Sequence, residues 1–341
     1  MREVVIMMSI ATLASAADIR WRDLPPLPQS LGGQFVGTVG GRLAVAGGTH
    51  WDGVPRPWEG GKKVFSDAIY TLERGASSWH RSGSLGVPLG YGVSVSAGDA
   101  MLCIGGQTPT ETTKKVYRLR WLNGAIVVDT LSDLPAAASN IAGAQAGDSV
   151  YVAGGQSTPA SLQALGTFWA LSLKHPEAGW KVLPGWPGPP RILPMAAAAA
   201  DAFYLVGGAD LTGTPGPPVG RRFLKDAYRY RVGQGWDRLP DLPTLSSAGY
   251  AVMDGADLLV LGGNDGEYAD REFQMKDKHP GFSLAIFRLK PGAKAWELSG
   301  KLPSSLVTSG LVRWGDEVVI AGGEDRPGHR SSRVIAGRFA R

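Results

Sequence analysis

Six short apolar runs in this 341-residue chain each end in Gly-Gly. They read RLAVAGG, MLCIGG, SVYVAGG, AFYLVGG, DLLVLGG and EVVIAGG, and they close at Gly48, Gly106, Gly155, Gly208, Gly263 and Gly323. Successive pairs are 58, 49, 53, 55 and 60 residues apart. A repeat of this length, with one strand per unit that stops at two glycines, is the mark of a β-propeller. A pair of packed sheets with chance glycines would have to produce six copies in register.

The rest of the unit recurs as well. A variable loop follows each Gly-Gly, and then a second strand: SDAIYTLE, KKVYRLRW, GTFWALSL, KDAYRYRV, SLAIFRLK and SSRVIAGRF. Four units continue into a tryptophan (Trp79, Trp180, Trp236, Trp296), with a Leu-Pro turn beyond it in units such as RLPDLP and GKLP. The second unit reads IVVDTLSDLP there and has no tryptophan. Runs of small residues, among them GYGVSVSAG, NIAGAQAG and MAAAAADA, precede the Gly-Gly strands and suit the crowded innermost position around a channel. Each unit therefore supplies four strands, a to d from the channel outward. One such sheet cannot bury both faces alone, so six must pack radially. The expected fold is all-β, a six-bladed kelch-type β-propeller formed by residues 18–341 as a single domain. IRWRDLPPLP reads as a d strand near the start and SSRVIAGRFAR as a c strand at the end. The N-terminal strand is expected to complete the last blade and so remove two free sheet edges.

Composition narrows the function classes. Glycine (48) and proline (24) punctuate the chain, while 43% of residues are apolar, which favours many short strands over disorder. The net charge is +5, but the basic residues are scattered and form no nucleic-acid stripe. Cys103 is the only cysteine and sits in AMLCIGG, so neither an internal disulfide nor a thiolate metal cluster can form. The opening MREVVIMMSIATLASAADIRW has the order of a secretory signal peptide: a basic residue, an apolar stretch, then small residues. Residues 1–17 are expected to be removed on export to the periplasm or the medium. No segment of the mature chain is long and apolar enough to be expected to span a membrane.

Strands that alternate in direction put the b–c and d–a loops on one rim. Three of the b–c loops are long, those after Gly48, Gly208 and Gly263, and long loops in a compact fold are candidates for function. The sixth, in VVIAGGEDRPGHR, sets Glu324 directly after the Gly-Gly and Arg330 six residues later. Such a pair is either a surface ion pair or an acid/base group beside an anion clamp. Arg191, in PGPPRILPMAAAA, stands at the d–a turn that enters the fourth blade and is a candidate second anion-binding group. No His-x-x-x-His pair, Cys/His cluster or Asp-rich calcium loop points to a metal, and no cofactor is expected.

The segment IAGGEDRPGHRSSRV resembles bacterial N-acetylneuraminate (sialic acid) mutarotases, in which INGE, KPG and LRT follow the corresponding strand. AGGTHWDG…GGKKVFSDAIYTL…W resembles their next blade, in an order similar to that of the cyclically permuted mutarotase family. The resemblance implies a cofactor-independent isomerase that exchanges the α and β anomers of N-acetylneuraminate by opening and closing the sugar ring. It implies that Glu324 is the acid/base group and Arg330 a substrate-binding group, with Arg191 matched less directly. Two other readings stand beside it: a non-catalytic propeller that binds a glycan or protein on its rim, and a mutarotase of a neutral sugar.

Overall fold

The structure, a computed structural model, describes residues 19–215 and 219–340. The expected signal peptide, residues 1–17, lies outside the described residues. Six four-stranded antiparallel sheets are arranged as blades. Their inner strands are Phe35–Val39, Val93–Ala97, Ala142–Ala146, Met195–Ala198, Tyr250–Asp254 and Leu311–Trp314. In the first five blades the four strands follow one another in sequence. In the sixth, Leu311–Trp314, Glu317–Arg326 and His329–Phe339 are completed by Ile19–Leu24. That strand pairs in register from Ile19 opposite Phe339 to Leu24 opposite Val334. The N-terminal strand thus closes the ring.

The apolar runs are explained by the radial packing. Successive side chains of a strand face opposite sides of its sheet, and both sides of each blade meet a neighbouring blade. In the second strand of blade 1, Leu43 and Val45 join a cluster with Val319, Ala321, Val334 and Ala336 of blade 6. The alternate residues Ala44 and Ala46 pack with Met101, Cys103 and Leu119 of blade 2. A strand buried on both faces must be apolar throughout, not alternating.

The recurrent tryptophans tie four of the blades, the first, third, fourth and fifth, to the blade before. The indole N–H of Trp79 donates to the Pro25 carbonyl at 2.8 Å, Trp180 to Ser132 at 3.0 Å, Trp236 to Pro184 at 2.9 Å and Trp296 to Pro240 at 2.8 Å. Each acceptor lies in the loop that leaves the preceding blade, which accounts for the pairing of tryptophan with a Leu-Pro-type turn.

A second tie runs around the channel mouth. One residue from each d–a loop donates its backbone N–H to the carbonyl of the equivalent residue in the neighbouring blade. Gly33 donates to Thr308, Thr308 to Ala248, Ala248 to Leu193, Leu193 to Asn140, Asn140 to Tyr91, and Tyr91 back to Gly33, at 2.7–3.1 Å. The six bonds form a closed circle. All six residues have positive φ, between 51° and 69°, although only one of them is glycine.

Candidate functional site

Five members of this circle (Tyr91, Asn140, Leu193, Ala248, Thr308) line a cavity of about 620 Å³ at the channel mouth. Its walls come from the b–c loops that the sequence marks as long. Blade 1 gives Trp51, Trp58, Lys62, Lys63 and Phe65; blade 4 gives Leu211, Val219, Arg221 and Phe223; blade 5 gives Glu272 and Phe282. The hairpin of blade 6 contributes Glu324, Pro327 and Arg330.

The position immediately after each Gly-Gly faces this mouth or borders it. It is filled by Thr49, Gln107, Gln156, Ala209, Asn264 and Glu324, and each pairs with the d–a loop of its own blade. Glu324 is the one acid in the set. Its backbone exchanges two hydrogen bonds with Val307, at 2.8 and 2.9 Å. The approach depends on glycine: at Gly323, φ is 113° and a Cβ would lie 2.5 Å from the Val307 carbonyl oxygen. Only a residue with no side chain can turn there.

Glu324 and Arg330 face each other across the blade 6 hairpin. The Arg330 Nη1 and Glu324 Oε1 atoms form an ion pair. Nη2 of the same guanidinium donates to the Tyr91 hydroxyl oxygen at 2.8 Å and to Thr49 Oγ1 at 3.2 Å. Lys63 Nζ also donates to the Tyr91 oxygen at 2.8 Å, and Thr49 Oγ1 lies 3.0 Å from it. Thr308 Oγ1 approaches Glu324 Oε2 at 3.4 Å. Arg330 can lie this deep because residue 32 is glycine: a Cβ there would sit 2.5 Å from Arg330 Cδ. The hairpin turn is held from both sides. Arg56 Nη1 donates to the Gly328 carbonyl at 3.0 Å, and on the blade 5 side His329 Nε2 lies 2.5 Å from Asp277 Oδ1.

This packing shifts three ionisations. Burial works against the charge of Arg330, but Glu324 and Tyr91 more than offset it and hold the guanidinium above its ordinary value. Burial alone would raise the Tyr91 phenol; the charges of Arg330 and Lys63 outweigh it and bring the phenol below its ordinary value, against a smaller contribution from Glu324. Glu272 is raised, first by burial and also by Glu324, with Arg221 opposing.

The structure brings Glu324 and Arg330 together at the mouth. It does not bring Arg191 there, although the sequence made Arg191 a candidate substrate-binding group. Ile192 and Leu193 line the cavity, whereas Arg191 is fully buried. Its Nη1 and Nη2 donate to the two carboxylate oxygens of Asp226 at 3.0 and 2.8 Å, and Nη1 also to the Gly207 carbonyl at 2.8 Å. The Tyr228 hydroxyl donates to the same carboxylate at 2.8 Å, and its phenol is pushed up to about 12, first by burial and then by Asp226. Every strong donor of Arg191 is committed inside the protein. Reading by residue type missed Tyr91, Lys63 and Glu272. Tyr91 did leave a signal, since a large polar aromatic between two glycines interrupts the small-residue strand GYGVSVSAG. Lys63 and Glu272 are ordinary loop charges until the loops are placed. Among the described residues, no group of three or more His, Cys, Asp or Glu side chains could hold a metal ion, and no helix is long and apolar enough to cross a membrane.

Fold and site together define a six-bladed propeller with a small-molecule cavity at one mouth, equipped with a carboxylate, several cations and a phenol. Comparison with known proteins is consistent with this class. No family model matches the chain. Among curated proteins it is similar to the N-acetylneuraminate epimerase of Haemophilus influenzae, at 27% identity over 237 residues, which is 62% of this chain and 60% of the relative. It is similar to the protein of the same name from Vibrio cholerae at 33% identity over 127 residues, 32% of each chain. The chain thus spans about three fifths of the length of the first of these relatives. Among solved structures it superposes on YjhT with a TM-score of 0.67 over 91% of this chain and 95% of that one, at 15% identity, a likeness of fold.

Proposed function

We propose that this protein is a sialic acid mutarotase that interconverts the α and β anomers of N-acetylneuraminate. The observation that carries the reading is the Glu324–Arg330 pair. It stands at the mouth of a cavity of about 620 Å³, with the Glu324 side chain still 19% exposed. The name shared by the similar curated proteins supports the choice of sugar. A permuted order of blades, expected from the sequence, belongs to the same reading.

Anomer exchange at a hemiketal removes a proton from the anomeric hydroxyl, returns one to the ring oxygen, and reverses both steps after the ketone has turned over. No atom changes oxidation level, so positioned acid/base groups suffice. In this reading Glu324 takes the first proton. Arg330 fixes the carboxylate and adds its charge to the field that draws in the sugar's own carboxylate. Arg221, exposed at the cavity wall, and Lys63 beside Tyr91 contact that carboxylate directly. Export to the periplasm or the medium is part of the proposal and rests on the pattern of residues 1–17.

The test is NMR of freshly released α-N-acetylneuraminate. The protein should speed the approach to the anomeric equilibrium without moving its position, and a chelator should leave the rate unchanged. Acceleration of glucose or galactose alone would select the neutral-sugar reading. Saturable binding with no acceleration would select the non-catalytic one.

A further inference from the structure

We propose that Tyr91 is the second proton-transfer group of this site, donating to the ring oxygen while Glu324 accepts from the anomeric hydroxyl. This rests on the mutarotase reading above. The two oxygens that exchange protons in ring opening are bonded to the same carbon. One carboxylate bridging both would need both of its own oxygens, and Glu324 has Oε1 engaged by Arg330. Oε2 has only the long approach of Thr308 Oγ1, at 3.4 Å, so it is the oxygen open to the anomeric proton and the partner proton must come from another atom on the same wall.

Tyr91 lines the cavity and is tied to Glu324 through one side chain, with Nη1 of Arg330 on the carboxylate and Nη2 on the phenol oxygen at 2.8 Å. A planar guanidinium fixes the spacing of the two groups that its arms hold. The phenol oxygen accepts from Lys63 as well, and its own proton can point to Thr49 Oγ1 or into the cavity. The charged groups that face it are Arg330, Lys63 and Glu324. Two cations against one carboxylate favour the phenolate that proton donation leaves behind.

The backbone gives an independent argument. The circle around the mouth needs positive φ at each position, which Gly33 and Asn140 adopt at little cost. Tyr91 adopts φ of 59°, costly for a bulky side chain, and shares this conformation with Leu193, Ala248 and Thr308, at 51–60°, three other cavity-lining members of the circle. A Cβ at Gly33 would lie 2.8 Å from the Tyr91 ring, so the neighbouring blade is cut back to admit it. Closing the circle requires no tyrosine, and costly conformations of this kind gather at functional sites.

The step balances. As the ring C–O bond breaks, the anomeric O–H proton passes to Glu324 and its electron pair forms the ketone. The Tyr91 proton passes to the ring oxygen and leaves phenolate. On closure at the other ketone face, phenolate recovers the proton from the attacking hydroxyl and Glu324 returns its own to the new anomeric oxygen.

The experiment compares wild type, Tyr91→Phe, Glu324→Gln and Glu272→Gln by exchange NMR of N-acetylneuraminate, with an ultraviolet titration of the phenols in parallel. Tyr91→Phe should lower kcat by about 10²-fold with KM nearly unchanged. It should also abolish one phenol transition that in wild type precedes the others and that Lys63→Met moves to higher pH. An active wild type with Tyr91→Phe within about threefold of it would overturn the proposal. The proposal would also fall if Glu272→Gln, and not Tyr91→Phe, carried the loss. If wild type does not accelerate exchange, the mutarotase reading fails and takes this assignment with it, whatever the titration gives.

Discussion

Two arginine–carboxylate pairs in this protein have the same chemistry and different surroundings. Arg330 and Glu324 border a cavity, whereas Arg191 and Asp226 are sealed between blades 3 and 4 with Tyr228. Glu324→Gln should keep the fold and lose about 10²-fold or more in rate, as for a general acid/base. Arg191→Met should instead leave an unpaired carboxylate in the interior and cost about 3–5 kcal/mol of stability, while the protein that remains folded keeps its rate. Denaturant titration beside exchange NMR separates the two outcomes. An unchanged midpoint with a raised KM for Arg191→Met would restore it as a binding residue. The sequence made Glu324 and Arg330 legible because both lie in one hairpin whose register follows from the Gly-Gly. It misplaced Arg191 because its side-chain direction depends on Asp226, 35 residues further along. At this turn the two residues that follow Arg191, Ile192 and Leu193, line the cavity instead.

Among the elements, the N-terminal strand Ile19–Leu24 is the most exposed to test. Its Arg22 donates through Nε and Nη2 to both carboxylate oxygens of the buried Glu317, each at 2.8 Å. The hydrogen bond from Arg22 holds the Glu317 carboxyl below its ordinary value, and burial works the other way. A depressed carboxyl contributes its full stabilisation above the unfolded value, about 4.3, and loses it as pH falls through the folded value. Arg22→Met should therefore melt lower than wild type at pH 7, with the gap closing as the pH is taken below 4. A gap independent of pH would refute the linkage. Deleting residues 19–24 should go further, exposing the edge of His329–Phe339 and causing aggregation on size-exclusion chromatography. The strands themselves were readable from the sequence, because period, Gly-Gly and tryptophan all repeat. The cavity walls were not, because the long loops share no repeat and their meeting place is set by the closed ring.

For the whole molecule, closure implies that the position of the cut is arbitrary. Ile19 stands opposite Phe339, so the two ends of the sixth blade's outer pair lie side by side, and a short linker turns them into an ordinary c–d hairpin. The natural cut separates a d strand from its c strand, and an equivalent cut exists in blade 2. There Leu122 and Ala125 pair across a tight turn at Asn123–Gly124, with φ of 51° and 81°, on the rim away from the cavity. A permuted chain running from Gly124 to Phe339, through a linker, and then from Ile19 to Asn123 keeps every strand pair, every tryptophan tether and the circle of six bonds. Opening one short turn and closing another changes the loop entropy by only about 1 kcal/mol. The melting temperature should then stay within about 5 °C of the unpermuted protein. The exchange rate on N-acetylneuraminate should also match, since no cavity residue lies near either junction. A permutant that folds but loses the rate would mean that the site depends on the covalent order of the blades, and a permutant that fails to fold would mean that ring closure by Ile19–Leu24 is not equivalent to the other five hairpins.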